Sequence, residues 1–280
     1  IQIHTGQHYS FELDKAFFND LKLPEPDYNL EVGSGSHAVQ TGKIMVGIEE
    51  ILQREKLDMI LVQGDTNTVL AASLAAVKLG VPIGHVEAGL RSYDRSMPEE
   101  INRILSDQIS SLLFAPTIES RENLLSEGIH VDNVHVAGNT VTDAVFQNLE
   151  LAENSRDTLE KLCLEPENYF LLTCHRAENT DDATRLQSII HGIQAVQAKY
   201  RLPVVFPVHP RTKKMLYQYH IDTGKITLIE PVGYLDFLAL ERNAKLILTD
   251  SGGVQEEACI LGTPCVTLRD NTERPETLII

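Results

Sequence analysis

The amino-acid sequence predicts an α/β protein with two domains, each built on a parallel sheet that carries helices on both faces. Short apolar runs alternate with longer segments of helical period along nearly the whole chain, and this alternation is typical of parallel sheets. Two sets of such runs occur in the 280 residues. One sheet of about ten strands would be near the upper limit for a strongly twisted open sheet, so two domains explain the pattern better.

The predicted elements follow one another in a regular order. In the first half, apolar runs predict strands at 58–62, 82–86, 112–115 and 134–136, with helices at 67–79 and 117–126. In the second half, strands are predicted at 169–173, 203–206, 226–228, 246–248 and 264–267, with helices at 184–197 and 254–261. The polar, helix-prone stretch 148–168 contains no strand candidate, so the predicted domains are 1–160 and 161–280.

Composition narrows the class of protein. The 40 acidic and 24 basic residues give a formal net charge of −16, which argues against nucleic acid and anionic membrane as partners. The longest uncharged stretch, 66–77, is far shorter than the roughly 20 residues of a membrane span, so a soluble protein is expected. The four cysteines form no C-x-x-C pair, which indicates a reducing compartment and a cytoplasmic location. Because the chain begins at Ile1, inside an apolar run, we expect that its natural beginning is missing.

Three acidic residues follow predicted strands in the first domain, where ligands of parallel sheets bind. Asp65 comes after a glycine at a strand end, and either caps the next helix or takes part in function. Glu87 lies among small residues, so we expect the acid to be partly desolvated, which would suit it to proton transfer. The alternative is an ion pair with Arg91. Glu99 stands three residues after Ser96, the spacing of a capping box, and only its company with the other two acids favours function.

The second domain contains a strand end that leads through Gly252 and Gly253 into a helix. Such a turn lets backbone N–H groups approach a phosphate at the positive end of the helix. Glu257, one turn into the helix, is placed to accept hydrogen bonds from ribose hydroxyls. Arg269 and Arg274 would supply positive charge for an anionic ligand.

Two histidines, His175 and His209, each follow a predicted strand with an arginine within two residues. They are interpreted either as a phosphate-binding pair or as loop histidines held by hydrogen bonds. The histidines lack metal-ligand spacing and the sequence has no G-x-G-x-x-G fingerprint, so no metal and no cofactor are expected.

Together these segments resemble the non-hydrolysing UDP-N-acetylglucosamine 2-epimerases. The matching strings occur in the family's order at 5–8, 64–66, 84–91, 98–103, 138–143, 175–176, 207–210, 250–257 and 272–276. The resemblance implies two Rossmann-like domains of the GT-B type with a sugar nucleotide in the cleft between them. It also implies reversible epimerisation at carbon 2 of UDP-N-acetylglucosamine (UDP-GlcNAc), which gives UDP-N-acetylmannosamine (UDP-ManNAc) for cell-surface polysaccharides. UDP would be eliminated to leave a 2-acetamidoglucal, and would then add back.

The same resemblance implies a role for each site residue. The catalytic residues would be Asp65, Glu87, Glu99 and His175. The substrate-binding residues would be Arg103, His209, Phe237 (through its backbone), Ser251, Gly252, Gly253, Glu257 and Arg274. Gln7 and Arg176 would belong to a second, allosteric substrate site, and the enzyme would be a homodimer. Which carboxylate takes the first proton stays open.

Two departures from the family and three rival functions accompany this expectation. The family opens with a strand and a G-T-R-P-E turn and closes with further helices, so both ends of this chain are expected to be missing. A hydrolysing epimerase would release UDP and free N-acetylmannosamine. A GT-B glycosyltransferase would share the glycine turn and Glu257 but would not need three carboxylates in the first domain. A sugar-nucleotide-binding module without catalysis is the third rival.

Overall fold

The computed structural model describes residues 1–7, 18, 20–153 and 157–278. The chain divides into two compact units, Ile1–Thr140 and Val141–Ile280. Every paired strand that the structure describes runs parallel to its neighbour, and the sheets fall into the two units. In the described part of the chain, no helix is both long enough and apolar enough to cross a membrane.

The first unit contains a four-stranded sheet, a separate pair of strands and helices packed on the sheet. Its strands are β1 (Ile3–His4), β2 (Tyr28–Asn29), β3 (Ile60–Gln63), β4 (Ile83–Val86), β5 (Leu112–Ala115) and β6 (Val134–Val136). Its helices are α1 (His37–Glu55), α2 (Asn67–Lys78), α3 (Pro98–Ile109) and α4 (Ile118–Ser126). The sheet order is β3-β4-β5-β6, while β1 and β2 pair separately. Alanines at 71, 72, 75 and 76 are buried, and their small side chains let α2 pack closely on the core.

The second unit is a five-stranded sheet in the order β11-β10-β7-β8-β9. Its strands are β7 (Phe170–Thr173), β8 (Val204–Pro207), β9 (Thr227–Ile229), β10 (Leu246–Thr249) and β11 (Cys265–Thr267). Its helices are α5 (Thr140–Glu153), α6 (Asp157–Lys161), α7 (Ala177–Thr180), α8 (Ala183–Tyr200), α9 (Pro210–Gln218), α10 (Tyr234–Asn243) and α11 (Gly252–Leu261). Phe170 and Leu172 pack into one core and Leu171 into the other, so β7 is buried on both faces.

The division between the units falls at 140/141, whereas the sequence-based division lies at 160/161. The intervening helices α5 and α6 belong to the second unit. Val145, Ala152 and Leu159 are buried there in one cluster with Tyr169 and Leu238. The described residues of this segment form no strand, and its buried apolar residues form part of a core.

Candidate active site

Asp65 and Glu87 lie at the same edge of the first sheet, because they follow the neighbouring strands β3 and β4. Gln63 is in register with Val86, and the Gly64 N–H donates to the Val86 carbonyl at 3.1 Å. Glu87 Oε2 lies 3.9 Å from the point where a Cβ on Gly64 would be. Gln63 Nε2 donates to Glu87 Oε1 at 2.9 Å. The parallel pairing therefore brings both carboxylates to one place.

Asp65 is held from α3 and does not cap α2. Arg103 donates to Asp65 Oδ2 from Nη2 at 2.7 Å and from Nε at 3.1 Å, and Asn102 Nδ2 donates to the Asp65 carbonyl at 2.8 Å. The N-cap of α2 is Thr66, whose side chain makes no capping hydrogen bond. Asp65 is 31% exposed and Arg103 only 2%. The buried guanidinium thus fixes an acid that still reaches the surface.

Arg103 also ties α3 to the loop before it. Its Nη1 donates to Glu100 Oε2 at 2.7 Å. The buried Glu100 carboxylate accepts further hydrogen bonds from the Ser92 N–H, the Ser92 hydroxyl and the Tyr93 N–H. Glu100, which the sequence analysis did not single out, therefore organises this loop.

The prediction of a capping box between Ser96 and Glu99 is wrong. Helix α3 begins at Pro98, its N-cap is Met97, and no side chain caps it. Ser96 Oγ instead donates to Asp94 Oδ1 at 2.6 Å. Proline is favoured at the first helical position because its φ is fixed, and here it moves the helix start away from Ser96. Glu99 lies half-buried in the first turn, near the positive end of the helix dipole.

The predicted ion pair between Glu87 and Arg91 does not form. Arg91 is buried and pairs with Asp107 at 2.7 Å and with Glu127 at 2.6 Å. Glu87 has a φ of 67°, in the left-handed region that favours glycine. A non-glycine residue there costs of order 1 kcal/mol, and such strain is concentrated at functional sites. The strained backbone and the half-buried carboxylate both set Glu87 apart from an ordinary surface acid.

A buried histidine that the sequence analysis did not select lies beneath this edge. His85 Nδ1 is 2.6 Å from Asp107 Oδ1, and its Nε2 is 2.9 Å from the Gly64 carbonyl. Burial lowers the pKa of His85, but the hydrogen bond and charge of Asp107, the Gly64 carbonyl and the charge of Glu87 outweigh burial, and the net pKa is raised. Both ring nitrogens face acceptors, as an imidazolium requires. A histidine inside an apolar strand directly before an acid is the signal that the sequence offered.

Asp250 organises the second site, at the ends of the neighbouring strands β7 and β10. Its carboxylate accepts hydrogen bonds from the His175 N–H at 2.9 and 3.0 Å, the Arg176 N–H at 2.9 Å and Asn179 Nδ2 at 3.0 Å. Burial alone would raise the pKa of Asp250. The hydrogen bond and charge of His175, together with the other donors, lower it by more than burial raises it and bring it to about 2. The carboxylate therefore stays ionised and joins the two strand ends.

His175 and His209 both line a cavity of about 250 Å³. His175 Nδ1 lies 3.1 Å from Asp250 Oδ1, which leaves Nε2 for a ligand. His209 Nδ1 accepts from the Arg211 N–H at 3.2 Å, so its Nε2 carries the proton when the ring is neutral. Burial and the charges of His175 and Arg211 lower the pKa of His209. The two ring centroids are 6.3 Å apart. Other residues that line the cavity are Thr173, Cys174, Pro207, Pro231, Val232, Phe237, Ser251 and Val254.

The glycine turn beside this cavity begins α11. Ser251 Oγ accepts from the Val254 N–H at 3.4 Å and caps the helix. A Cβ on Gly252 would lie 2.2 Å from Glu273 Oε1 and 3.0 Å from Arg274 Nη1, so a side chain there would displace the Glu273 carboxylate. A Cβ on Gly253 would meet only the Ser251 hydroxyl, at 3.9 Å. The helix N-terminus thus lies next to the Arg274 guanidinium, in an arrangement that suits an anion.

Carboxylates hold the arginines of this turn. Arg274 Nε donates to Glu256 at 2.7 Å and its Nη1 to Glu273 at 2.8 Å. Arg269 Nη2 donates to Glu273 at 2.7 Å, and its side chain is only 1% exposed. Arg274 is more exposed than Arg269, at 11%, and is therefore the arginine placed to meet a ligand.

Glu257 is half-buried on α11, near Tyr234 and the buried Glu241 of α10. Burial raises the pKa of Glu257, and these two neighbours only partly offset the effect of burial and of the Glu256 charge.

The predicted second-site residues are engaged within their own units. Gln7 Oε1 accepts from the Thr68 N–H at 3.2 Å and the Thr68 hydroxyl at 2.7 Å. Arg176 Nε donates to the Asp250 carbonyl at 3.1 Å. His8, which follows Gln7 in the motif, lies outside the described residues. Their allosteric role stays a prediction.

Within the described residues, no group of three or more His, Cys, Asp and Glu side chains is suited to hold a metal ion. That the reaction uses no metal and no cofactor stays a prediction.

Two α/β units with these strand-end sites define a two-domain protein of the GT-B class. The crystal structure of Methanocaldococcus jannaschii UDP-GlcNAc 2-epimerase in complex with UDP-GlcNAc and UDP matches with a TM-score of 0.92 and 56% identity, over 99% of this chain and 78% of that one. A family model described as UDP-N-acetylglucosamine 2-epimerase matches residues 1–279. The chain belongs to this family.

Two relatives carry the same description. UDP-N-acetylglucosamine 2-epimerase of Methanococcus maripaludis is 56% identical over 287 residues, and that of Methanocaldococcus jannaschii is 57% identical over 284 residues. Each alignment covers 99% of this chain and 77% of the relative. The predicted family and fold class are confirmed.

Proposed function

We propose that this protein interconverts UDP-GlcNAc and UDP-ManNAc. In the forward direction a carboxylate takes the proton from carbon 2, the bond from carbon 1 to the UDP oxygen breaks, and a double bond forms between carbons 1 and 2. UDP then adds back to carbon 1 while a proton is delivered to the other face of carbon 2. Protons and electron pairs balance without an oxidant or reductant.

The observation that carries this proposal is the placement of Asp65 and Glu87 after adjacent parallel strands. Inversion at carbon 2 needs acid/base groups on two faces of the sugar, and one strand edge supplies two carboxylates with different surroundings. Asp65 is paired with the buried Arg103 at 2.7 Å. Glu87 accepts a hydrogen bond from the Gln63 amide, and its charge raises the pKa of His85 beneath it. Glu99 is the third acid/base carboxylate of the proposal.

Stabilisation of the departing UDP is the second requirement, because the carbon 2 proton is not adjacent to a carbonyl. The N–H groups of Gly252 and Gly253, the Ser251 hydroxyl and Arg274 would hold the diphosphate. His175 and His209 would each donate from Nε2 to the same group. Asp250 supports this role because it fixes which His175 nitrogen is left for the ligand.

The remaining residues have supporting roles in the proposal. Glu257 would accept from the ribose hydroxyls, and the backbone at Phe237 would bind the uracil. Arg103 was predicted to bind substrate. Because it is buried and ion-paired with Asp65 and Glu100, we assign it the role of positioning Asp65. Gln7 and Arg176 would bind a second substrate molecule.

We also propose that the enzyme is a cytoplasmic homodimer. The family relationship supports a dimer, and four free cysteines support a reducing compartment. Sedimentation of the purified protein at micromolar concentration should give the dimer mass; a monomer mass at all concentrations would contradict it.

Incubation with UDP-GlcNAc in heavy water tests the reaction. We expect deuterium at carbon 2 and the appearance of UDP-ManNAc, both followed by NMR. Free N-acetylmannosamine with UDP would instead indicate hydrolysis. Binding of UDP-GlcNAc without deuterium exchange would indicate a non-catalytic binding module.

The role of Glu87 is tested with Glu87→Gln. We expect this variant to lower the exchange rate by about 10²- to 10⁴-fold, the usual contribution of a positioned acid or base, with UDP affinity within about twofold. Glu119→Gln is the matched control, since Glu119 is an exposed acid of the same unit on α4. Unchanged exchange in Glu87→Gln would remove Glu87 from the proposed chemistry.

A further inference from the structure

His85, on β4, is a wholly buried histidine that the proposed reaction does not use. Its side chain has 0% exposure, and so has that of Asp107 on α3. His85 Nδ1 lies 2.6 Å from Asp107 Oδ1, and His85 Nε2 lies 2.9 Å from the carbonyl oxygen of Gly64. A carboxylate and a backbone carbonyl only accept hydrogen bonds, so each ring nitrogen has to donate. The two distances therefore require the imidazolium form of His85.

The charged groups on the packed elements balance a positive charge on His85. Asp107 also pairs with the buried Arg91 at 2.7 Å, and Arg91 pairs in turn with Glu127 at 2.6 Å. Two cations are thus matched by two carboxylates. Burial lowers the pKa of His85, but the hydrogen bond and charge of Asp107 and the charge of Glu87 contribute to a net rise.

The hydrogen bond to the Gly64 carbonyl fixes the turn that carries Asp65. This carbonyl belongs to the same planar peptide group as the Asp65 N–H. Gly64 has a φ of 82°, and its own N–H donates to the Val86 carbonyl at 3.1 Å. Gly64 is therefore tied to β4 on both sides, through its N–H by the strand ladder and through its carbonyl by His85. These two bonds set the direction in which the chain enters Asp65.

The hydrogen bond to Asp107 fixes the loop that carries Glu87. Asp107 Oδ2 accepts from the Gly89 N–H at 3.2 Å, two residues after Glu87. Asp107 Oδ1 binds His85, two residues before Glu87. Glu87 thus lies between two points that are attached to one carboxylate. Such a double attachment maintains its left-handed φ of 67°, because a strained conformation persists only where its surroundings over-determine it.

We propose that His85 is a positioning residue for the carboxylates of Asp65 and Glu87. Its imidazolium holds the turn before Asp65 through Nε2 and, by way of Asp107, the loop around Glu87 through Nδ1. His85 acts through the two acids and does not itself contact the sugar. This inference rests on the proposed function, in which these acids exchange the proton on carbon 2.

The charge of His85 is tested without any ligand. In isotope-labelled protein, long-range proton–nitrogen NMR spectra distinguish an imidazolium, in which both nitrogens carry protons, from either neutral tautomer. Sequential backbone assignment of the wild-type chain identifies the His85 ring. At about pH 6, below the ordinary histidine pKa of 6.5, we expect both nitrogens to be protonated. A neutral ring at this pH would overturn the proposal, because one of its nitrogens could not donate.

Two variants separate the two ends of the ring. The amide nitrogen of glutamine reaches about as far as histidine Nε2, so His85→Gln keeps a donor for the Gly64 carbonyl. The amide nitrogen of asparagine reaches only as far as Nδ1, so His85→Asn keeps the donor for Asp107 and leaves the Gly64 carbonyl without one.

The readout is deuterium exchange at carbon 2 of UDP-GlcNAc, separated into kcat and KM. We expect His85→Asn to lower kcat by about 10²-fold, the effect of a misplacement of about 1 Å, and His85→Gln to lower it by about tenfold or less. The KM for UDP-GlcNAc should change by less than about threefold in both variants, because the groups proposed to hold UDP lie in the other unit.

Leu113→Ala is the control for loss of stability at this place. Leu113 is buried on β5, in register with His85, and its side chain has no hydrogen-bonding group. We expect the cavity to lower the melting temperature while kcat stays within about twofold of wild type. A loss of kcat in Leu113→Ala as large as in His85→Asn would show that the effect is one of stability alone.

The remaining outcomes separate this inference from the proposed function. If wild type exchanges the carbon 2 proton but His85→Gln loses as much kcat as His85→Asn, the positioning role is wrong while the proposed function stands. The same holds if His85→Asn keeps kcat within about threefold of wild type. If neither His85 variant folds, the protonation of the wild-type ring decides. If the wild-type chain exchanges no proton at carbon 2, both proposals fail.

Discussion

Replacement of Asp250 by asparagine removes the group that joins the ends of β7 and β10. The folded carboxyl has a pKa of about 2 against an ordinary value of 3.8, and at 1.36 kcal/mol per pKa unit this difference stabilises the fold by about 2 kcal/mol at neutral pH. The folded pKa is depressed, so this stability is present above pH 3.8 and is lost as the pH falls towards 2. Asparagine would also turn an N–H group towards donors such as the His175 and Arg176 N–H groups, so we expect a loss of at least about 2 kcal/mol.

Urea unfolding of both proteins between pH 2.5 and pH 7 measures this effect. The difference in unfolding free energy should be largest at pH 7 and shrink below pH 4, because wild type loses its ionised carboxylate there. UDP affinity at pH 7 should fall by tenfold or more, since His175 Nδ1 loses its partner. A stability difference that does not change with pH would refute the assignment of an ionised, hydrogen-bonded Asp250.

Asp107→Asn should cost about 3–5 kcal/mol in urea unfolding because it removes the buried carboxylate that contacts both Arg91 and His85. Glu127→Gln, at a partly exposed partner of Arg91, should cost about 1 kcal/mol or less; equal costs would contradict the buried pair. Gly252→Ala should weaken UDP binding by tenfold or more in calorimetry, since its Cβ would lie 2.2 Å from Glu273 Oε1. Gly253→Ala, where a Cβ has room, should change the unfolding free energy by no more than about 0.5 kcal/mol relative to wild type. A larger loss of stability in Gly253→Ala than in Gly252→Ala would contradict the difference in room between the two positions.

Residues at strand ends could be located from the sequence, because the apolar period shows where each strand stops. Asp65, Glu87 and His175 were located in this way, and the structure has each of them just after a strand. The residues that hydrogen-bond to these side chains could not be located, because apolar periodicity does not show which helix packs against which strand. Arg103 reaches Asp65 from α3, and its reach depends on how that helix packs on the sheet.

Buried polar residues were the other limit. His85 lies within an apolar run, and its partner Asp107 lies 22 residues further along, so only the packing of α3 against β4 reveals the pair. Glu241 is one acid among 40 acidic residues and has no motif around it. The spacing of Ser96 and Glu99 predicts a capping box, but Pro98, whose φ is fixed, begins α3 two residues after Ser96, so the box does not form.

The sheet order of the second unit has a consequence for synthesis of the chain. Strand β7 pairs with β10, and Asp250 follows His175 by 75 residues. At roughly 5–20 residues per second, about 4–15 seconds of translation separate the two strands. During that interval one edge of β7, with its apolar residues Phe170, Leu171 and Leu172, has no partner and is open to aggregation or chaperone binding. Slower translation or a lower growth temperature would lengthen this interval, so the yield of soluble protein should depend on how fast the ribosome passes the segment between β7 and β10.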